Sequence, residues 1–451
     1  MKRTVLLYLI VVCLGTSCQK FLEKKSDQNL ATPQTLADLQ ALADNPGLSL
    51  STRVVNNLTD EFYISYDYWQ AIEEEDRDSY VWAAALNNYE DWINMYNHVL
   101  YCNTILDNID KVDDAANTNV ANTIKGSALF LRSFYFYKVA ELYAPVFDAT
   151  SNKTDWGIPL RLDANFNVPA NRATVEVTYQ QMISDLQTAA DLLKNNKPTS
   201  QLNKTRPTIT ACYGMLARIY LQMGNFEKAL EYANLCLETY DKLLDYNDAS
   251  QVDTSSLTPI KKFNQEVIFY AEVQYAITSS SEAIIDSSLY RSFDDSDLRK
   301  KVYFELNPDG TPWFKGSYNG SIDNLFQGLA VDEIYLIQAE AAARTGNANL
   351  AMTRLNALLS KRYQTGSFTS YAGLKPEEIL SIILTERKKE LLYRGTRWSD
   401  LRRLNKTPAF ATTIKRKLND QLITLPPNDL RYTLLIPIEV INKSSMPQNK
   451  R

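Results

Sequence analysis

The chain has 451 residues, 45% of them hydrophobic, with 53 acidic residues against 48 basic ones and a net charge of -5. That length and composition support a large buried core, and the near balance of charge excludes a strongly electrostatic partner, nucleic acid above all. Tyrosine, at 27 residues, is the one unusual count, and its ring serves equally as a packing element and as an amphipathic contact surface.

At the N-terminus, Lys2-Arg3, the apolar run Val5 to Leu14 and Gly15-Thr16-Ser17-Cys18 read as a signal peptide over 1–17. The run is too short to span a bilayer. Cys18, directly after small residues, resembles a bacterial lipobox cysteine, which receives acyl chains and becomes the new terminus; residues 18–30 then form a lipidated tether. Lipidation leaves Cys102, Cys212 and Cys236, an odd number, for which buried free thiols are expected, although Cys212 and Cys236 fall close enough to pair.

Thr32-Pro33 should cap and open a helix through Leu42. Asp44 to Asn87 lacks a sustained period and is rich in aromatics, so it reads as a long loop, the class of segment that carries function on a helical scaffold. Helices are predicted at about 90–109 and 119–142 and over Val175 to Leu193, with Trp156-Gly-Ile-Pro159 as loop. Arg206 to Thr239 carries two apolar stripes at helical spacing, broken by Gly224-Asn225, which is a helical hairpin of tetratricopeptide type. Such a unit cannot cover both its faces alone, so further copies are required. Leu329 to Ser360 supplies one, with Gly346-Asn347 and Ala351 at the same offsets as Gly224-Asn225 and Ala229.

Between the hairpins, periodicity is lost from Asn247 to Asn324; Glu266 to Tyr275 and Val302 to Leu306 read as short strands, and Asn307-Pro-Asp-Gly310 as a turn. A last helix from Pro376 to about Arg394 leads into Gly395-Thr-Arg-Trp-Ser-Asp-Leu-Arg-Arg403 and an irregular tail. The predicted division is 31–240, a helical N-terminal part; 241–328, an irregular part facing the ligand; and 329–451, a C-terminal part, together one compact domain after the tether.

Catalytic motifs are scarce. The single histidine, His98, sits mid-helix as a packing residue, which starves a Ser-His-Asp triad or a His-based zinc site of parts. Asp294-Asp295-Ser-Asp297 lacks the glycine and distal glutamate of a calcium loop. Glu73-Glu74-Glu75-Asp76 could hold paired carboxylates but reads as a solvated acidic face. Arg387, Arg397 and Arg402 with Glu386, Glu390 and Asp400 read as ion pairs across a helix end beneath Trp398.

In order along the chain, Cys18 with Phe21-Leu22, Arg172 through Leu193, Pro207 through Ala229, Asp297-Leu-Arg299, Glu333 through Gly346, Glu386-Arg387, Glu390-Leu391, Arg394 through Arg403, Leu435-Ile-Pro437 and Gln448-Asn449 together resemble the SusD/RagB outer-membrane lipoproteins over nearly the whole length. The resemblance implies a mainly α fold, a tetratricopeptide-like superhelix of about four helix pairs with long irregular loops and a few short strands. It also implies a non-catalytic lipoprotein of the outer membrane, lipid-anchored and facing the cell exterior. There it would bind oligosaccharides in polysaccharide utilisation, or peptides in some members, and pass them to a SusC-like TonB-dependent transporter. No cofactor or metal is implied. The alternative from another class is a glycoside hydrolase. Sugars need rings to stack on and polar groups beside them, so the candidate ligand residues are Asp60, Tyr63, Tyr66, Tyr68, Trp69, Trp82 and Asn87 in the first irregular segment, and Trp313 and Tyr318 in the second.

Overall fold

The computed structural model describes residues 33–165, 167–168, 170–196 and 204–451; the predicted signal peptide, Cys18 and the tether lie outside them. The first helix, α1 (Leu36–Ala43), starts later than Thr32-Pro33 suggests. Thr35 is the cap: its hydroxyl accepts from the Asp38 N–H at 3.2 Å while the Asp38 carboxylate accepts from the Thr35 N–H at 3.0 Å, so two orphan donors are satisfied reciprocally.

Eight longer helices follow and pack consecutively: α2 (Tyr89–Asn108), α3 (Thr118–Tyr143), α4 (Val175–Leu192), α5 (Ile209–Gln222), α6 (Phe226–Thr239), α7 (Val331–Arg344), α8 (Ala348–Leu359) and α9 (Pro376–Glu390). They form the predicted tetratricopeptide-like stack, in which α5–α6 and α7–α8 are the two hairpins broken at Gly-Asn. The Gly-Asn breaks work twice. Gly224 (φ 72°) and Gly346 (φ 84°) take the left-handed conformation that stops one helix. Asn225 and Asn347 then cap the next by accepting the N–H groups of Lys228 and Leu350. Ala217, Ala229 and Ala233 are fully buried, which lets α5 and α6 approach closely, and Leu216, Ile219, Leu336 and Leu355 fill the volume around them. Cys102, Cys212 and Cys236 are buried free thiols within this core. His98 is buried too, its ring 4.5 Å from that of Tyr135, and burial lowers its pKa to about 4.

The second layer contains the segments without helical period. Asp44 to Asn87 is not one loop: it holds short helices Val54–Asn57, Tyr66–Ala71 and Glu74–Tyr80 and a strand at Phe62–Tyr63. Trp156–Pro159, read as loop, is a strand paired with Arg172–Thr174. The chain from 241 to 328 supplies strands Val267–Phe269, Glu272–Gln274, Ile284–Ile285, Phe304–Leu306, Pro312–Phe314 and Asn324–Phe326, and the tail adds a hairpin, Ile414–Leu418 with Gln421–Leu425, that sequence reading missed. All are antiparallel two-stranded pieces. The layer has its own aromatic core, including Phe62, Tyr80, Tyr303, Phe314, Tyr318, Phe326 and Tyr393.

Where the two layers meet, the chain buries charge. The Arg299 guanidinium donates to Asp297 at 2.8 and 2.7 Å, to Glu386 at 2.6 Å and to Glu390 at 3.0 Å. Arg362 continues the network to Glu390 and Glu266, each at 2.7 Å. Glu386 and Glu390 on α9 therefore point to the looped layer and not to the arginines near Trp398. Those arginines divide: Arg387 meets Asp400 as expected, Arg397 leaves for Asp60, and Arg402 donates to the carbonyls of Glu141 and Ala144. Trp398 is fully buried, stacked on Tyr432 at 4.7 Å.

Candidate functional site

The strand Phe62–Tyr63 pairs with Ile284–Ile285, which in turn packs beside Pro312–Phe314, itself paired with Phe304–Leu306. Side chains alternate faces along a strand, so the register sorts them. Phe62, Ile285, Phe314 and Phe304 are buried in the aromatic core. Their neighbours Tyr63, Ile284 and Trp313 therefore turn outward, and Tyr63 is 40% exposed. Tyr63 and Ile284 thus stand opposite each other in one two-stranded piece, and Trp313, opposite Glu305, stands in the neighbouring piece that packs beside Ile284–Ile285, a strand that the sequence did not single out.

Beside that face, Ser65 caps the short helix Tyr66–Ala71 by accepting the Tyr68 N–H at 3.1 Å. Tyr66 and Trp69 stack at 5.7 Å and 27°, with Trp69 Nε1 donating to the Arg77 carbonyl at 3.2 Å and the Tyr66 hydroxyl accepting from Gln70 at 2.9 Å. Tyr66, Tyr68 and Trp69 are all half-buried, one side of each ring held by the layer's core.

Four of the proposed ligand residues are committed elsewhere. Trp82 is 2% exposed and its indole donates to the Leu58 carbonyl at 2.9 Å. Tyr318 is 1% exposed and its hydroxyl donates to Glu266 at 2.5 Å. Asp60 is gripped by Arg397 at 2.7 and 2.8 Å and by Lys388 at 2.8 Å. Burial pushes its carboxyl up, but the two cations outweigh that and hold it far below the usual carboxylate range. Asn87 is exposed yet donates to Glu439 and accepts from the Ile438 N–H at 3.0 Å, which fastens the C-terminal helix.

The acidic run also differs from its expected solvated face. Glu73 and Glu74 are exposed, but Asp76 is buried against Arg53 at 3.1 Å and Asn57 at 2.9 Å. Glu75, 3.4 Å from Arg53, is pushed up to about 7 by burial and by Asp91.

One residue was missed. Tyr275 is 76% exposed and sits at φ 52°, a left-handed conformation uncommon for an aromatic residue, at the end of the strand Glu272–Gln274. Its aromatic type followed by Ala-Ile-Thr-Ser-Ser-Ser was the available signal, read instead as the end of a strand.

Comparison with known proteins agrees with this architecture. Residues 20–221 match a SusD-like family described as starch-binding associating with outer membrane, and residues 331–433 match the SusD family proper. A SusD-like protein P2 of Formosa agariphila is 23% identical over 379 residues, covering 69% of this chain and 71% of its own length. Among solved structures, a Bacteroides vulgatus protein assigned to sugar binding superposes with a TM-score of 0.74 at 21% identity, covering 93% of this chain and 99% of that one. A SusD superfamily protein of Bacteroides thetaiotaomicron gives 0.72 at 21% identity, covering 92% and 100%. At such identities the structural likeness establishes the fold, and with the two family matches in chain order it follows that this chain belongs to the SusD/RagB family.

Proposed function

We propose that the protein is a non-catalytic cell-surface lipoprotein, anchored through Cys18, that binds oligosaccharides and passes them to a SusC-like TonB-dependent transporter of the outer membrane. The observation that carries the ligand class is the outward row of Tyr63, Ile284 and Trp313, flanked by the half-buried Tyr66–Trp69 stack. It is a rigid ring-bearing surface built on strands, suited to the apolar CH faces of pyranoses. The family supports the same reading. A non-catalytic role is consistent with the densest acidic run being tied to Arg53 and Asn57, not facing an open cleft.

Affinity electrophoresis through gels containing different polysaccharides tests this, with a parallel panel of peptides. Retention by a glycan gel without release of reducing sugar is expected, and the Tyr63→Ala/Trp313→Ala double variant should weaken it about tenfold, the loss of roughly 1.4 kcal/mol of ring stacking. Retention by peptides alone, or sugar release by the purified protein, would overturn the assignment. Mass spectrometry of the mature N-terminus should find acyl chains on Cys18.

A further inference from the structure

Arg416 is the inward middle residue of the strand Ile414–Leu418 and is 3% exposed. Its guanidinium is not in an ion pair: Asp60, the carboxylate that bears on it most, acts at a distance and is itself held by Arg397 and Lys388. It donates instead to four carbonyls of one segment, those of Asn57 at 3.3 Å and Tyr80 at 3.4 Å and those of Thr59 and Phe62. The rings of Phe62, Tyr80 and Trp82 lie against it, their centres 4.8, 4.4 and 5.3 Å away. A buried cation without a counter-ion is destabilising by itself, so these carbonyl bonds have to offset its burial.

What Arg416 grips is the strand that carries Tyr63. That strand has two residues and one partner, Ile284–Ile285. The Asp286 N–H donates to the Glu61 carbonyl at 2.9 Å, so by the alternation of an antiparallel pair the Phe62 carbonyl and the Ile64 N–H face the opposite edge, where no third strand pairs. Two side chains take its place. The Arg416 guanidinium donates to the Phe62 carbonyl, and the Tyr80 hydroxyl accepts from the Ile64 N–H at 3.1 Å. The peptide groups on both sides of Tyr63 are thus fixed by two side chains that stack on each other. Register matters here because a slip of one residue exchanges the faces: Phe62, 1% exposed, would leave the core and Tyr63, 40% exposed, would enter it.

We propose that Arg416 is a positioning residue for the saccharide face: without touching the ligand, it locks the register of the strand Phe62–Tyr63 and so holds the Tyr63 ring outward. The inference rests on the saccharide reading given above. It adds that this face is set from the C-terminal hairpin, by a residue 354 positions away from Phe62 in the chain.

A double-variant cycle on the full protein tests this. Arg416→Met keeps an apolar stem against the rings and removes all the N–H donors. It should weaken retention by the glycan gel about threefold, as Tyr63→Ala should, because each takes the same ring from the face. In the Tyr63→Ala background it should weaken retention no further, while lowering the melting temperature equally in both backgrounds. A residue that only stabilised the layer would leave retention alone, or lower it by the same factor with and without the Tyr63 ring; either result overturns the proposal. Arg416→Lys keeps the cation but cannot span four carbonyls from one nitrogen, so it should show the same non-additivity with a smaller factor, and it decides the question if Arg416→Met does not fold. Hydroxyl-radical footprinting follows the ring without a ligand. The oxidation rate of Tyr63 should fall about twofold in Arg416→Met as the ring turns inward, with that of Tyr275 level, and a Tyr63 rate that holds or rises overturns the proposal. If no glycan gel retains the parent, the saccharide reading fails, and the footprint alone decides whether Arg416 holds Tyr63 outward.

Discussion

In α6 burial recurs every third or fourth residue, at Ala229, Ala233, Cys236 and Leu237, whereas α5 and α7 are buried along nearly their whole length with aliphatic cores: Leu216, Ile219, Ile334 and Leu336 are all fully buried. In the looped layer no strand among the described residues exceeds five residues, and aromatic rings and arginines take the place of aliphatic packing. Arg416 makes the contrast concrete. It reaches across from the hairpin Ile414–Leu418 to the carbonyls of Asn57, Thr59, Phe62 and Tyr80, with its guanidinium 4.4 Å from the Tyr80 ring centre and 4.8 Å from that of Phe62. Backbone strain follows the same division. The aromatic residues at positive φ, Trp82, Phe263, Tyr275 and Tyr393, all lie in the looped layer or at its junction with the helices, and none interrupts a helix pair. A helix satisfies its own backbone, so apolar burial suffices to stack it. Short strands and turns leave carbonyls open, and fixed guanidinium groups close them.

If charge holds the looped layer to the helices, breaking the network should separate their stabilities. Arg299→Leu leaves Asp297, Glu386 and Glu390 facing one another without their main cation, and should cost about 3–5 kcal/mol. The near-ultraviolet signal of the aromatic core should then be lost at a lower temperature than the far-ultraviolet helical signal. Coincident transitions would mean that the two layers unfold as one. Glycan retention should fall with the near-ultraviolet signal, because Trp313 lies on the strand Pro312–Phe314, which pairs with the strand Phe304–Leu306 that directly follows Arg299 and Tyr303.

A pH dependence separates the layers more gently. Glu61 is 1% exposed between Thr59 and the core; burial, reinforced by Asp60, raises its pKa to about 7 against the cations Arg397 and Lys388. The folded protein holds that proton while the unfolded chain releases it near pH 4.5, so the stabilisation present below that pH is lost as pH rises toward 7. The loss amounts to about 3 kcal/mol from this group. Glu61→Gln should flatten the fall in melting temperature across that window. A parent protein whose melting temperature is level from pH 5 to 7.5 would contradict it.

These differences decide what could be read from the chain. The hairpins were legible because Gly224-Asn225 and Gly346-Asn347 stand between long apolar stripes. Val54–Asn57, Tyr66–Ala71 and Glu74–Tyr80, at four to seven residues, are too short for a helical period to show. The hairpin at Ile414 was hidden because the inward middle residue of its first strand is Arg416: burial alternates along Ile-Lys-Arg-Lys-Leu, but Lys-Arg-Lys reads as an unbroken polar run. The family motifs were found, but Asp297-Leu-Arg299, Glu386 and Glu390 proved to be the junction between layers. At the candidate site, Trp82 and Tyr318 could not be told from Tyr63 by sequence, because what buries them are distant partners, the Leu58 carbonyl and Glu266. Only strand register separates Tyr63 and Trp313 from their inward neighbours.

The smallest effects come from two glycines, one in each kind of structure. Gly224 sits at φ 72° with open space where a Cβ would stand, so Gly224→Ala meets only the left-handed conformation, at roughly 1 kcal/mol. Gly395, at φ 71°, lies where the helices meet the looped layer, and a Cβ there would come within 2.9 Å of the Gln327 side chain. Gly395→Ala should therefore cost more than Gly224→Ala in chemical denaturation, by about 1 kcal/mol for moving a buried side chain off its rotamer. Glycan retention sharpens the pair. Gly224→Ala should leave it unchanged, since the turn joins two helices far along the chain from the aromatic row. Gly395→Ala should weaken it, because Gln327 follows the strand Asn324–Phe326 and its backbone N–H bonds the Ala271 carbonyl beside the strand that leads to Tyr275. Equal costs for the two variants would mean that the junction yields as freely as a solvent-facing turn, against the close packing argued for it.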